Sequence, residues 1–316
     1  MPCYHPKEVW HGKLGGISWN KYNCRTGPET PPFHIPCNQC IGCRLDKSRA
    51  WALRLSHEAK MHKRNCFVTL TYSDESLPEA GNLVPDHVRL FMKTLRKKRK
   101  VRFYACGEYG EQTRRPHYHA ILFGQDFTLG ARRIGGSDDS PLFHSDELTN
   151  LWGRGHTTVG HVTSQSCAYV ARYVVKKING VLAEQHYTVN HNGKPFVRLP
   201  EFARMSRRPG IGETYFKKYG MEACQHDSVI VNGKPVPPPP YYHRLLTRVH
   251  ELREQIPDPR RPERKLDDRQ WTGETLVQEI KKRRVKKART QKADNTPERL
   301  AVREKHATLI MKKRNL

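Results

Sequence analysis

Two histidines, His117 and His119, stand two residues apart and open an apolar run, Ala120, Ile121, Leu122 and Phe123. That run reads as a β-strand, and on a strand residues i and i+2 point to the same face. Two imidazoles then converge on one point, as the ligands of a metal ion must. A carboxylate, Glu108, stands just upstream at the end of another expected strand. The pair alone proves little: with 17 His in 316 residues, roughly one His-x-His arises by chance. Its neighbours have to carry the argument.

Tyr169 and Tyr173 lie four apart and would share one face of a helix. A phenol with an ordinary pKa near 10 is a weak nucleophile. It can attack a phosphodiester when a metal ion polarises the phosphate and a base or cation manages its proton. Lys176 and Lys177 flank the two rings. A second pair, Tyr215 and Tyr219, has the same spacing, but Gly220 is expected to end that segment at once. Cys37-x-x-Cys40-x-x-Cys43 has the spacing of a structural Zn²⁺ site. Cys3, Cys24 and His34 are the candidate fourth ligands. Arg114 and Arg115, beside the histidine strand, could hold neighbouring phosphates.

The charge balance names the class of partner. Lys and Arg number 57 against 31 Asp and Glu, a formal +26. Such an excess attracts polyanions, nucleic acid foremost. No apolar run approaches the ~18 residues of a membrane-spanning helix. The N-terminus carries no signal-peptide core. The chain therefore reads as cytosolic, with no membrane partner. No G-x-x-x-x-G-K-[ST] motif occurs, so no fused helicase is expected.

These residues need elements to position them. Apolar periodicity predicts a helix over 45–62, a strand over 66–71, a helix from 85 capped by Asp86, and strands over 101–106 and from 117 to 123. A loop follows at 135–138, then a short helix over 145–152 and a strand over 156–162. The last expected helix, 165–178, has Cys167, Ala168, Ala171, Val174, Val175 and Ile178 as its apolar stripe and both tyrosines on the opposite side. The order describes an α+β sandwich with a central, largely antiparallel β-sheet flanked by helices. Residues 1–65 form a Cys-rich segment and helix with the zinc site, and 66–180 the catalytic core. Residues 181–230 are an extension packed on the core, and 231–316 a Pro linker and basic, partly disordered tail.

F-V-T-L-T at 67–71, P-H-Y-H-A-I-L-F at 116–123 and Y-V-A-R-Y-V-V-K-K at 169–177 resemble the three ordered motifs of HUH endonucleases. The cysteine cluster followed by R-L-D-K-S-R-A-W-A-L-R is similar to the replication initiators of gokushoviruses, single-stranded DNA phages of the Microviridae. The resemblance covers about residues 1–220. It implies the HUH-endonuclease fold, with His117, His119 and Glu108 holding Mg²⁺ or Mn²⁺ and Glu111 as a rival for the third place. It implies Tyr169 and Tyr173 as paired nucleophiles, Lys177 or Lys176 as their cation, and Cys3 as the fourth zinc ligand. The implied activity is a metal-dependent nickase and ligase that cuts single-stranded origin DNA, forms a 5′-phosphotyrosine, and initiates and terminates rolling-circle replication. Host DNA polymerase and helicase would assist it in the cytoplasm of the infected bacterium. The alternatives are a single-Tyr HUH transposase or plasmid initiator, and a non-catalytic zinc-dependent single-strand DNA-binding protein.

Overall fold

The computed structural model describes residues 3–25, 27, 29, 31–176, 181–255, 273–290 and 296–313. The chain divides into two compact units, Met1–Lys47 with Lys286–Leu316, and Ser48–Val285.

In the first unit, β1 (Lys7–His11), β2 (Ile17–Ser18) and β3 (Phe33–Ile35) form a small antiparallel sheet in the order β2-β1-β3. No strand is expected here from the sequence. The alternation is only three to five residues long and is masked by the surrounding Gly, Pro and Cys. α1 (Ile41–Ala59) starts four residues earlier than expected.

The second unit is built on β4 (Asn65–Thr71), α2 (Pro85–Arg96), β5 (Arg102–Tyr109), β6 (Pro116–Phe123), β7 (Arg132–Ser137), β8 (Ser140–His144), α3 (Asp146–Trp152), β9 (Thr157–His161) and α4 (Ser164–Lys176). α5 (Val181–Tyr187) leads to a hairpin, β10 (Thr188–His191) and β11 (Lys194–Val197), and then to β12 (Phe202–Met205). Seven strands form one sheet, β12-β5-β6-β4-β9-β8-β7, with every pairing antiparallel. The expected α+β class with a large antiparallel sheet is what is observed. The β7–β8 hairpin occupies what reads as a glycine loop, because Arg132–Ser137 is exposed throughout and has no apolar signature.

Strand alternation sorts the core. Cys66, Val68, Leu70, Tyr118, Ala120, Leu122 and Val159 pack on one face with Phe91, Leu95 and Trp152 of the helices. On the other face, Tyr104, Cys106, Ile121 and Phe123 pack with Leu55 of α1 and Cys167, Val170 and Ala171 of α4. With both faces covered, β5 and β6 are buried almost throughout.

Two helix ends differ from expectation. Pro85 occupies the first helical position of α2, so Val84 is the cap; Asp86 lies in the first turn and pairs with Arg89 at 3.0 Å. α6 (Glu213–Gln225) runs through Gly220 instead of stopping there. A Cβ at Gly220 would lie 2.1 Å from the Phe216 ring, so this glycine serves close packing. Downstream, β13 (Val229–Val231) and β14 (Lys234–Val236) form a ribbon, and α7 (Pro240–Gln255) begins at the last proline of the expected linker. α8 (Gly273–Thr290) and α9 (Pro297–Lys313) complete the described elements. Glu58 of α1 anchors the second unit. Its buried carboxylate pairs with Arg102, accepts from Gly212 N at 2.7 Å and meets His62 Nε2 at 3.2 Å.

Candidate active site

Register brings the first three residues together. Glu108 of β5 lies directly across from His117 of β6, and His119 lies across from Thr69 of β4. All four side chains therefore share one face. Glu108 Oε1 is 2.6 Å from His117 Nε2 and 3.0 Å from His119 Nε2. One ligand atom from each of the three falls within 4.8 Å of the others.

The opposite ring nitrogens fix the imidazoles. His117 Nδ1 donates to the Arg115 carbonyl at 3.2 Å, and His119 Nδ1 meets Thr69 Oγ1 at 2.9 Å. Each Nε2 thereby faces the carboxylate, the ring orientation from which metal-binding histidines offer that nitrogen to an ion. Burial alone would raise the Glu108 pKa, but the hydrogen bonds from His117 and His119 outweigh it and hold the carboxyl well below the usual range. An anionic oxygen and two oriented imidazoles form a donor set consistent with a divalent ion. Glu111 lies in the exposed turn beyond β5 and is not part of this group.

α4 brings the tyrosines over the same face. Its start is fixed by a reciprocal cap: Thr163 Oγ1 accepts from Ser166 N at 3.1 Å, and Ser166 Oγ accepts from Thr163 N at 2.8 Å. Tyr169 OH lies 3.5 Å from His119 Nε2, and the Tyr173 ring stacks on the His119 imidazole at 5.5 Å. The two tyrosine rings meet edge to face at 5.2 Å.

They are not equivalent. Tyr169 is 37% exposed and Tyr173 only 4%. Burial is the first cause that pushes the Tyr173 phenol far above its ordinary value, and the Glu108 charge adds to it. Both rings were expected opposite the apolar stripe, but Tyr173 is buried in the cluster of Cys167, Val170 and Ala171. Val170, absent from the expected stripe, is fully buried. The buried arc of α4 is wider than the stripe because the sheet face beneath it also takes up the tyrosine side.

Lys177 lies outside the described residues, as does the side chain of Lys176. The cation that can be placed is Arg172, which sequence reasoning missed. Its guanidinium carbon lies 5.6 Å over the Tyr169 ring, and its Nε is buried without a hydrogen-bond partner among the described residues. The signal was its position three after Tyr169, one helical turn away. Arg115 is engaged by Asp74 at 2.6 Å and by the Tyr72 carbonyl. Arg114 lies over the Tyr109 ring. Tyr215 and Tyr219 also form a ring pair, but Tyr215 stacks on His57 at 3.8 Å, among residues of α1 and α6.

The first unit holds the second cluster. Cys3, Cys37, Cys40 and Cys43 bring their sulfurs within 4.8 Å of one another, and all are free thiols. Four thiolates at ~2.3 Å from one zinc ion would stand ~3.8 Å apart in a tetrahedron. The observed Cys3–Cys40 and Cys37–Cys43 separations are 3.8 and 4.0 Å. Backbone N–H groups already serve the sulfurs: Cys37 N donates to Cys3, Tyr4 N to Cys40 and Cys40 N to Cys37, at 3.2–3.3 Å. Burial would raise the Cys37 thiol, but the N–H groups of Cys40 and Gln39 outweigh it and bring it down to about 6. Burial pushes Cys43 up. Tyr4, Leu300 and Ala307 pack beside the cluster, and Glu304 pairs with His5 at 2.9 Å. Cys24 is buried elsewhere, donating to the Lys21 carbonyl at 2.8 Å, and His34 lies 3.5 Å from Glu8. Both the Cys₄ cluster and the Glu/His/His triad are donor sets consistent with metal binding.

The family described as replication-associated protein ORF2/G2P matches residues 65–178. The chain is 33% identical over 270 residues to the replication-associated protein ORF2 of Spiroplasma virus 4, covering 81% of this chain and 74% of that protein. It is 30% identical over 262 residues to the replication-associated protein VP4 of Bdellovibrio phage phiMH2K, covering 79% and 78%. It is 28% identical over 227 residues to the replication-associated protein ORF4 of Chlamydia phage 1, covering 69% and 54%. No solved structure matches. The chain belongs to the ORF2/G2P family of replication-associated proteins, with those of the gokushoviruses of the Microviridae.

Proposed function

We propose that this chain is a replication initiator of the HUH-endonuclease type. It nicks single-stranded DNA at a phage origin, keeps the 5′ end as a phosphotyrosine, and starts and ends rolling-circle replication. One observation carries the reading: Nε2 of His117 and His119, a Glu108 oxygen and the Tyr169 hydroxyl converge on one point of a rigid sheet face. The replication-associated relatives and the formal charge of +26 support DNA as the substrate.

Mg²⁺ or Mn²⁺ held by Glu108, His117 and His119 would supply a Lewis acid for the scissile phosphate. Thr69 and the Arg115 carbonyl keep the imidazoles turned toward it. Tyr169 Oη attacks phosphorus, forming a Tyr–phosphate ester as the P–O3′ bond breaks. The bonding pair leaves with O3′, which takes up a proton as the phenol gives one to solvent. Arg172 supplies positive charge beside the phenolate; Lys176 and Lys177, next along the chain, are the further cations for this role. The free 3′-OH primes a host polymerase behind a host helicase, in the cytoplasm of the infected bacterium. A later 3′-OH attacks the phosphotyrosine and closes the circle, so ligation needs no ATP.

Tyr169, exposed and nearest His119, acts first. Tyr173, buried beside it, serves the second cut. The Cys₄ cluster holds a structural Zn²⁺.

The test separates cutting from holding. His117→Ala and His119→Ala should lose nicking of an origin oligonucleotide and lose Mn²⁺ binding. DNA affinity should stay near wild type, because phosphate contacts are spread over many Lys and Arg. Nicking at wild-type rate by His117→Ala refutes the assignment.

A further inference from the structure

One face of the N-terminal sheet carries aromatic and basic residues and is exposed at His11 and Ile17. Register sets His11 across from Ile17 and Val9 across from Phe33. Alternation then puts Lys7, Val9, His11, Ile17 and Phe33 on the same face. On this face Val9 is fully buried, while Ile17 is 51% exposed. The His11 and Phe33 rings stack at 4.5 Å. Trp19 continues from β2 with 63% of its surface exposed, and Lys7 Nζ lies 5.5 Å from its ring centroid. Tyr22 follows three residues later, 67% exposed, with Lys21 Nζ 5.0 Å from its ring.

The turn that carries these rings is hydrogen-bonded. Ser18 Oγ donates to the Asn20 carbonyl at 2.8 Å, and Asn20 Oδ1 accepts from Tyr22 N at 2.9 Å. The two rings are thus presented on a fixed loop. Neither contributes to the buried cluster of this unit. Two large exposed aromatic rings on one ordered loop mark an interaction site.

Charge selects the occupant. Residues 3–25 carry Lys7, Lys13, Lys21 and Arg25 against one acid, Glu8. Glu8 falls on the opposite face by alternation and lies 3.5 Å from His34. Open aromatic faces interleaved with cations suit unpaired bases on a phosphate backbone, because every base has a face to stack. A duplex hides those faces. We propose that this face of the cysteine-rich unit, with the loop that follows it, binds single-stranded nucleic acid, with bases stacked on Trp19 and Tyr22 and phosphates met by Lys7 and Lys21. No residue of this surface belongs to the triad or the tyrosine helix, so the assignment stands apart from the cleavage chemistry.

The experiment measures binding of the full-length protein to a labelled oligothymidylate at fixed salt. Trp19→Ala and Tyr22→Ala should each weaken binding about tenfold, and Trp19→Phe should restore most of it. Lys7→Gln with Lys21→Gln should flatten the salt dependence by roughly one to two in log–log slope. Zinc content and circular dichroism of the variants, expected to be unchanged, check the fold. Cleavage of a short origin oligonucleotide, assayed separately at saturating protein, should persist. Its absence in the wild type would count against the nickase reading alone. Wild-type oligothymidylate binding by the Trp19→Ala, Tyr22→Ala double variant overturns the proposal. So does a loss confined to binding of anionic phospholipid vesicles or to self-association.

Discussion

The unequal seats of the two tyrosines make a quantitative prediction. Tyr169→Phe leaves Tyr173 as the only nucleophile at the centre, and Tyr173 must first leave its buried seat. Raising its exposure from 4% to the 37% of Tyr169 uncovers about a third of the ring's surface. A tyrosine buries ~150–250 Å², so some 50–80 Å² of largely apolar area returns to water. At ~25 cal/mol per Å² this costs ~1.3–2 kcal/mol. The competent population falls roughly ten- to thirty-fold, and the cleavage rate with it. Single-turnover cleavage of an origin oligonucleotide, followed as formation of the covalent adduct in excess protein, reads this directly. Tyr169→Phe should be roughly ten- to thirty-fold slow, Tyr173→Phe within about twofold of wild type, and the double variant silent. Complete replication, which needs two cuts, should fail in both single variants. If Tyr173→Phe is the slower protein, or the two single variants are equally slow, the reasoning from burial is wrong.

Three further outcomes follow from the same packing. Glu58→Ala strips Arg102 of its buried partner and should cost about 3–5 kcal/mol in denaturant unfolding. Burial raises the Glu58 pKa, but His62, Gly212 N and Arg102 outweigh it and hold it below the ordinary carboxylate value. Its contribution is therefore full above about pH 4.3 and fades as pH falls through the lowered folded-state value, so wild type and variant should converge in acid; a gap constant down to the lowest measurable pH would contradict the pairing. His57, buried and hydrogen-bonded to the Tyr242 hydroxyl at 2.7 Å, has its pKa pushed down to about 4, first by burial and then by Lys60. The unfolded chain takes up that proton near pH 6.5 and the folded one does not, so stability should fall as pH drops from about 6.5 to 4, by at most ~1.4 kcal/mol per unit; His57→Gln should remove that part of the slope. Purified protein should carry about one zinc per chain, and Cys40→Ser should lose both zinc and thermal stability; elemental analysis finding no zinc in folded protein would sink the site.

The sequence disclosed those features that depend on short periods. Alternation from His117 to Phe123 was enough to put both imidazoles on one face; Thr69 joins them only through the register of β4 with β6. The register that sets Glu108 against His117 depends on a turn, Gly110–Arg115, whose pairing no local pattern reveals. Tyr169 and Tyr173 were legible as a helical pair, but their difference in burial was not. Periodicity describes a helix against a generic core, whereas here the sheet presents the His119 ring as a packing surface. The same limit hid His57, whose partners Tyr215 and Tyr242 are more than 150 residues away. The N-terminal sheet escaped because its strands are too short to show alternation, and β7 because it buries nothing. The division into units was likewise invisible, since residues 1–47 and 286–316 come together from opposite ends of the chain.

The central claim is that a metal-dependent tyrosine at this centre becomes covalently joined to DNA. The measurement that tests it most directly is peptide mapping by mass spectrometry of the protein after reaction with a single-stranded origin oligonucleotide, with Mn²⁺ and with EDTA. The expected result is a nucleotide adduct on Tyr169, a minor one on Tyr173, and none with EDTA. An adduct on Tyr215 or Tyr219, or one formed equally well in EDTA, would contradict the account.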